Sequence, residues 1–287
     1  MRSLLPILTV LAAILALWYG ASVWLNSQWS YDQASRAGVT LSFAEVVRDT
    51  QVQKRPVLPP PHQVAVGLWD GLAGQKVTSK RSLVYHAWVT LTATMVGFGI
   101  GTALGILLAI GIVHNRAMDL SVMPWAIASQ TIPILAIAPM VIVVLASVGV
   151  TGLLPKAVIS AYLSFFPVVV GMVKGFRAPD HMQLDLLATY SASRTATFLK
   201  LRLPASMPYL FASLKVSIAA SLVGAIVGEL PAGASAGLGA RLLSGSYYGQ
   251  TIQIWSALFT AAILAAGLVM IVTAIEQRTL RRMGMVR

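Results

Sequence analysis

Gly233-Ala234-Ser235-Ala236-Gly237 has the Gly-x-Ser-x-Gly spacing in which a serine lifted on a strained strand-to-helix turn attacks an acyl carbon. That chemistry needs a histidine oriented by an acid, and in that fold the histidine comes after the serine. None follows Ser235, because the four histidines are His62, His86, His114 and His181. A long apolar run precedes Ser235 where the strand should be, so the small residues read as a tight re-entrant turn. The histidines are too scattered for two to share one helical face, and there are no cysteines, so no metal site is expected. Gly97-x-Gly99 starts like a dinucleotide loop, but it lacks both the preceding strand and the later glycine. A Gly-x4-Gly-Lys-Ser/Thr phosphate loop is absent as well. The expectation is a chain with no catalytic residue and no cofactor of its own; if ATP is used, another subunit binds it.

The elements that position the polar residues are set by composition. Hydrophobic residues make up 57% of the 287 residues and charged residues 10%, against about 25% charged in soluble domains. A helical crossing of the bilayer needs about 20 apolar residues. Six stretches qualify or nearly so: 4–25, 89–113, 120–145, 153–173, 210–230 and 251–275. Lipid offers the backbone no hydrogen-bond partner and barrel-type alternation is missing, so the expected class is all-α, a polytopic membrane protein with six helices. The formal charge of +12 could suggest nucleic acid, but the basic residues sort by membrane side instead. With the N-terminus inside, Arg2, Arg116, Lys174, Arg177, Arg194, Lys200, Arg202, Arg278, Arg281, Arg282 and Arg287 are cytoplasmic, and the short outer loops keep Lys156 and Arg241. A signal peptide is the rival reading of the first run, which is longer than the usual apolar core of roughly 7 to 15 residues and lacks a clear cleavage site. The organisation expected is a first crossing (1–25), an extracytoplasmic insert with an interfacial helix (26–82), a core of five crossings (83–275) containing a cytoplasmic loop at 174–209, and a basic tail (276–287).

In the insert, Leu58-Pro59-Pro60-Pro61 must be extended, and Val64, Leu68 and Leu72 recur at helical spacing between His62 and Ala73. That helix lies on the outer interface or is a solvated loop helix. Gly97, Gly101 and Gly105 fall on one stripe and invite close approach of another helix. Gln130, Pro133 and Pro139 interrupt the third crossing, so it either borders a pathway or packs between helices. Lys215, about 7.5 Å along the axis from the start of the fifth crossing, is close enough to snorkel to the inner surface. Glu229, beside Pro231 and the small residues 232–239, faces the outer mouth of a pathway or caps the helix in water.

One polar island remains, from Asp185 to Pro204. The loop around it is longer than a membrane hairpin needs. Leu184, Leu187, Phe198 and Leu201 could plug a groove on a partner, framed by Arg194, Lys200 and Arg202; an amphipathic helix on the inner leaflet is the alternative. The island resembles the coupling loop of ABC importer permeases, Glu-Ala-Ala-x3-Gly-x9-Ile-x-Leu-Pro. Here the spacing falls on Asp185, Leu186, Leu187, Ser191, Leu201, Leu203 and Pro204, with Ala192 after the serine. Asp stands for Glu, leucines for both alanines, and serine for glycine. The chain is further similar to the branch that imports nitrate, sulfonates, taurine and thiamine precursors. The similarity rests on the proline-rich approach to the second crossing, Ile132-Pro133-Ile134-Leu135-Ala136-Ile137-Ala138-Pro139, Phe165-Phe166-Pro167, and Glu229 followed by Gly237-Leu238-Gly239. The segment 26–55 is longer than the usual connection.

The resemblance implies a type I permease in the bacterial inner membrane, working with a cytoplasmic ATPase dimer that holds ATP and Mg, a second permease subunit forming a homodimer, and an extracytoplasmic solute-binding protein. The ATPases would drive the coupling loop and rock the crossings between inward and outward openings. Gln130, Thr131, Pro133, Ser217, Ser221 and Glu229 are the candidates for the path of a small polar solute, with a lean to pyrimidine or thiamine-precursor types. An ion-coupled transporter would need acids within its crossings and often an inverted repeat, and neither is evident; a channel would not need the long cytoplasmic loop.

Overall fold

The computed structural model describes residues 4–231 and 234–285, so Arg2, Arg287, Ala232 and Gly233 lie outside the described residues. Every regular element among the described residues is helical. Five helical runs are long and apolar enough to cross a membrane, and a sixth crossing is counted if one bent pair is taken as a single span. The chain forms two compact units, 1–86 with 240–261 and 87–239 with 262–287.

In the first unit, α1 (Leu4–Arg36) runs well past Leu25, where the apolar stretch ends. Helix α2 (Phe43–Val52) starts at a capping box in which the Ser42 hydroxyl accepts from the Glu45 amide and the Glu45 carboxylate accepts from the Ser42 amide at 2.8 Å. Of the proline-rich stretch Pro60 is extended, but Pro61 is helical: it opens α3 (Pro61–Leu72) at a position that needs no donor. Fully buried Asn26 ties this stretch to α1: its carboxamide oxygen accepts from Val57 and Leu58 amides at 2.8 and 3.2 Å, and its amide donates to the Leu58 carbonyl at 2.8 Å. Ser30 donates to Asp49 at 2.7 Å, drawing α2 onto α1. The long insert thus extends the first helix outside its apolar part and folds back along it. The early residues of α12 (Thr251–Arg282) complete the unit: Trp18 lies 4.9 Å from Trp255, its indole donates to the Pro59 carbonyl at 3.0 Å, and Thr251 donates to the Pro56 carbonyl at 2.6 Å.

The second unit contains most of α4 (Leu83–His114), then α5 (Arg116–Ser129), α6 (Ile134–Ser147), α7 (Leu153–Phe176) and α8 (His181–Thr189). After the short α9 (Arg194–Thr197) and a wide π turn at Phe198–Arg202, α10 (Leu203–Gly228) follows without interruption. Small residues let α7 sit between α4 and α10. A Cβ on Gly97, Gly101 or Gly105 would lie 2.7, 2.9 and 2.9 Å from the carbonyls of Ala157, Ala161 and Phe165, so glycine every fourth position meets a carbonyl every fourth position. On the other side Gly224 approaches the Ser160 Cα in the same way, at 2.7 Å for an added Cβ. Serines close the gaps: Ser160 and Ser221 hydroxyls meet at 2.6 Å, Ser221 donates to the Thr94 carbonyl at 2.9 Å, and Ser217 to the Ser164 carbonyl at 2.6 Å. Such contacts replace the hydrophobic drive that lipid cannot supply.

Two sequence expectations change here. The third crossing is not one kinked helix: α5 and α6 meet at 99° across the break at 130–133, with Pro133 as the residue before α6. Pro139 lies inside α6 without ending it. Lys215 does not snorkel to the surface; its ammonium pairs with Glu276 of α12 at 2.9 Å, because a partly buried cation is better served by a carboxylate within reach than by extension along the helix.

Candidate functional site

The Asp185–Pro204 island is a helix, a tight turn and a second helix. Asp180 caps α8 with a carboxylate that accepts from the Met182 amide. At the other end Ser191 adopts φ 54°, and it is the one described non-glycine residue in the left-handed region. Its amide bonds the Ala188 carbonyl at 2.9 Å and the Ala192 amide bonds the Leu187 carbonyl at 3.0 Å, the paired closure of a Schellman turn. The glycine of the coupling pattern falls on this residue, which explains why glycine suits it. Ser193 then caps α9 by accepting from the Ala196 amide at 3.2 Å.

This element is joined to the membrane helices by a short aromatic and basic bridge. Phe198 stands 5.1 Å from both Phe176 and the His114 ring, and Arg202 donates to the Phe176 carbonyl at 3.0 Å, satisfying a backbone group at the end of α7. Arg177 pairs with Asp119 of α5 at 2.8 Å. The π turn falls just before Pro204, whose missing donor and ring would disturb a regular α turn there. Leu184, Leu187, Phe198 and Leu201 are half-buried. The outward residues are Met182, Leu186 and Tyr190, exposed by 77%, 57% and 77% at successive helical turns. Their i, i+4, i+8 spacing was available to periodicity reasoning. Asp185 is exposed beside them, while Ala192, Leu203 and Pro204 are half-buried.

At the opposite end of α10, Glu229 is fully buried. Its carboxylate accepts from the Thr90 hydroxyl at 2.9 and 3.0 Å and from the Gly239 amide at 2.9 Å, with Lys156 at 3.8 Å. Lys156 also donates to the Ala236 carbonyl at 3.1 Å, and the Leu238 amide donates to Thr90 at 2.9 Å. Side chains on Gly237 or Gly239 would collide with the Glu229 carboxyl or the Ile226 carbonyl, so the Gly-Leu-Gly run is the only shape that seats here. Glu229 is thus neither a water-facing cap nor an open-mouth residue in this chain; it clamps the turn after α10 to α4 and α7. Thr90 and Lys156 were missed as partners, and no local pattern links them to Glu229. Of the remaining path candidates, Ser217 and Ser221 are buried between helices, whereas Gln130, Thr131 and Pro133 occupy the break between α5 and α6, with Thr131 and Pro133 exposed. Tyr162 of α7 donates to the Ser129 carbonyl left open at that break.

An all-helical chain with five or six runs long and apolar enough to cross a membrane falls in the class of polytopic helical membrane proteins. The chain belongs to the family described as the binding-protein-dependent transport system inner membrane component, which matches residues 101–284. It is 30% identical over 142 residues to a probable ABC transporter permease protein of Haemophilus influenzae, covering 50% of this chain and 56% of that one. It is 28% identical to the formylaminopyrimidine transport permease protein ThiX of Halalkalibacterium halodurans, covering 56% and 60%. With the putative aliphatic sulfonates transport permease protein SsuC of Bacillus subtilis it shares 22% over 85% and 84%. The first two matches thus span less than two thirds of those relatives. In fold it is similar to a chain of the MetNI methionine ABC transporter in inward-facing conformations, with a TM-score of 0.51 and 20% identity, covering 71% of this chain and 96% of that one.

Proposed function

We propose that this chain is the permease subunit of an ATP-driven importer, carrying a small polar organic solute inward by alternating access. The observation that carries the reading is the α8 turn: a family-spaced element, closed by a Schellman motif, that presents an apolar stripe with no partner on this chain. On this reading a cytoplasmic ATPase dimer supplies ATP and Mg and grips Met182, Leu186 and Tyr190, a second copy of the permease completes the path, and a binding protein delivers solute from outside. Both termini are then cytoplasmic. The break at 130–133 is the best-placed polar feature to face the path, since it frees backbone groups that lipid cannot satisfy. The named relatives favour a pyrimidine or a sulfonate as the solute.

The test is reconstitution in vesicles with the cognate ATPase and binding protein. Leu186→Glu should leave the protein folded in the membrane, since the side chain is exposed, yet abolish ATP-driven uptake. Uptake at the unaltered rate would remove the docking role. ATP-independent uptake by the chain alone, driven by an ion gradient, would instead support the ion-coupled alternative.

A further inference from the structure

The first unit contains a cavity of about 620 Å³ that the permease reading leaves unused. Lys54, Arg55, Arg81 and Arg241 line it against a single acid, Asp70. The first three are exposed and stand at the rim, where water satisfies them. Arg241 differs: it is half-buried and its Nε–H, shielded from solvent, has no hydrogen-bond partner. A guanidinium nitrogen left unpaired in a protein interior costs free energy unless something outside the chain accepts from it. Burial pushes the Arg241 guanidinium below its ordinary value. The neighbouring Gln75 and Gln250 amides add neutral donors. The site is built by the folding already described: Gly67 on α3 carries no side chain where Ile252 and Ser256 approach, a Cβ there lying 2.8 and 2.9 Å from them, so α3 and α12 close one wall.

We propose that this cavity binds a small oxyanion group, a carboxylate, sulfonate or phosphate, seated on the Arg241 guanidinium. Planar guanidinium matches two oxygens of such a group better than it matches a halide, and three further cations outweigh Asp70. The volume lies within the range of about 300–1,000 Å³ typical of small-molecule sites. The anion has two sources, a free solute or a lipid headgroup. Binding here does not require the transport reading to hold, because it needs neither ATPase nor solute movement.

The experiment is calorimetry on the full chain in phosphatidylcholine nanodiscs, titrated with inorganic sulfate and phosphate, with chloride at matched ionic strength as control. Saturable binding of the oxyanions is expected, weakened about tenfold or more by Arg241→Gln. Arg81→Gln, at an exposed position that folding tolerates, should weaken it less, and Asp70→Asn should tighten it. Repeating the titration in phosphatidylglycerol nanodiscs separates the sources: unchanged binding assigns a free anion, and competition assigns the headgroup. The proposal is overturned by absence of saturable binding in phosphatidylcholine discs, or by affinity that Arg241→Gln, Arg81→Gln and Asp70→Asn all leave unchanged.

Discussion

At Ser191 a side chain sits where backbone geometry favours none. The left-handed conformation crowds Cβ against the following carbonyl, and the Schellman bonds hold the residue there regardless. Ser191→Gly should stabilise the α8 turn by about 0.5 to 1 kcal/mol, the strain relieved less the greater freedom of an unfolded glycine. Slower amide exchange at Ala192 would register it, and faster exchange would show that the serine is seated without strain. Glu229 makes the opposite case, a residue whose neighbours depend on it. Glu229→Leu removes the carboxylate that accepts from Thr90 and the Gly239 amide and leaves the Lys156 charge only the Ala236 carbonyl, a loss of about 3 kcal/mol or more in denaturant unfolding of the purified protein. Glu229→Gln keeps one acceptor oxygen and should lose less.

Among the elements, α7 is the one whose contacts decide the packing, because its carbonyls touch α4 directly. Gly101→Leu must push the helices apart, costing about 3 kcal/mol, whereas Ser221→Ala removes the bond to the Thr94 carbonyl, with Ser160 keeping the Ser221 carbonyl as acceptor at 2.8 Å, and costs about 0.6 to 1.7 kcal/mol. Comparing the two in denaturant unfolding separates close approach from polar glue; equal losses would contradict the arrangement. Helix α2 carries a pH-dependent cap. Hydrogen bonds from the Ser42 hydroxyl and amide hold the Glu45 carboxyl below the usual carboxylate value. The cap's contribution is therefore complete above the unfolded value of about 4.3 and is lost as pH falls through the lower folded value. Exchange of the first α2 amides should accelerate only below that range. Element boundaries show how far sequence reasoning reaches. The crossings and the glycine stripe followed from apolar runs and fourfold spacing. The extension of α1 to Arg36 did not, because residues 26–36 are mostly polar and are held by Ser30 and Asn26 contacts with residues 19 and 31 positions later.

In the molecule as a whole, the polar island was legible as a distinct element between apolar runs, but the burial of its individual side chains was not. Phe198 is apolar and near the motif, yet it packs on Phe176 and His114, which only tertiary structure reveals. The Thr90–Glu229 and Lys215–Glu276 pairs were hidden for the same reason: their partners are 139 and 61 residues apart. Arg202 links the island to the end of α7. Arg202→Ala should preserve ATPase binding while lowering uptake per ATP by about tenfold, the scale of one hydrogen bond to a charged group. Parallel loss of ATPase binding would show that the residue shapes the docking face instead.

The contact of Trp18 with Trp255 and the bond from Thr251 to Pro56 also impose an order on biosynthesis. The first unit draws on residues near the beginning of the chain and on residues 240–261, so the ribosome makes its last pieces long after its first. Until then α1 holds its tryptophan against lipid or a chaperone, and a nascent chain stopped before Trp255 carries that ring uncovered.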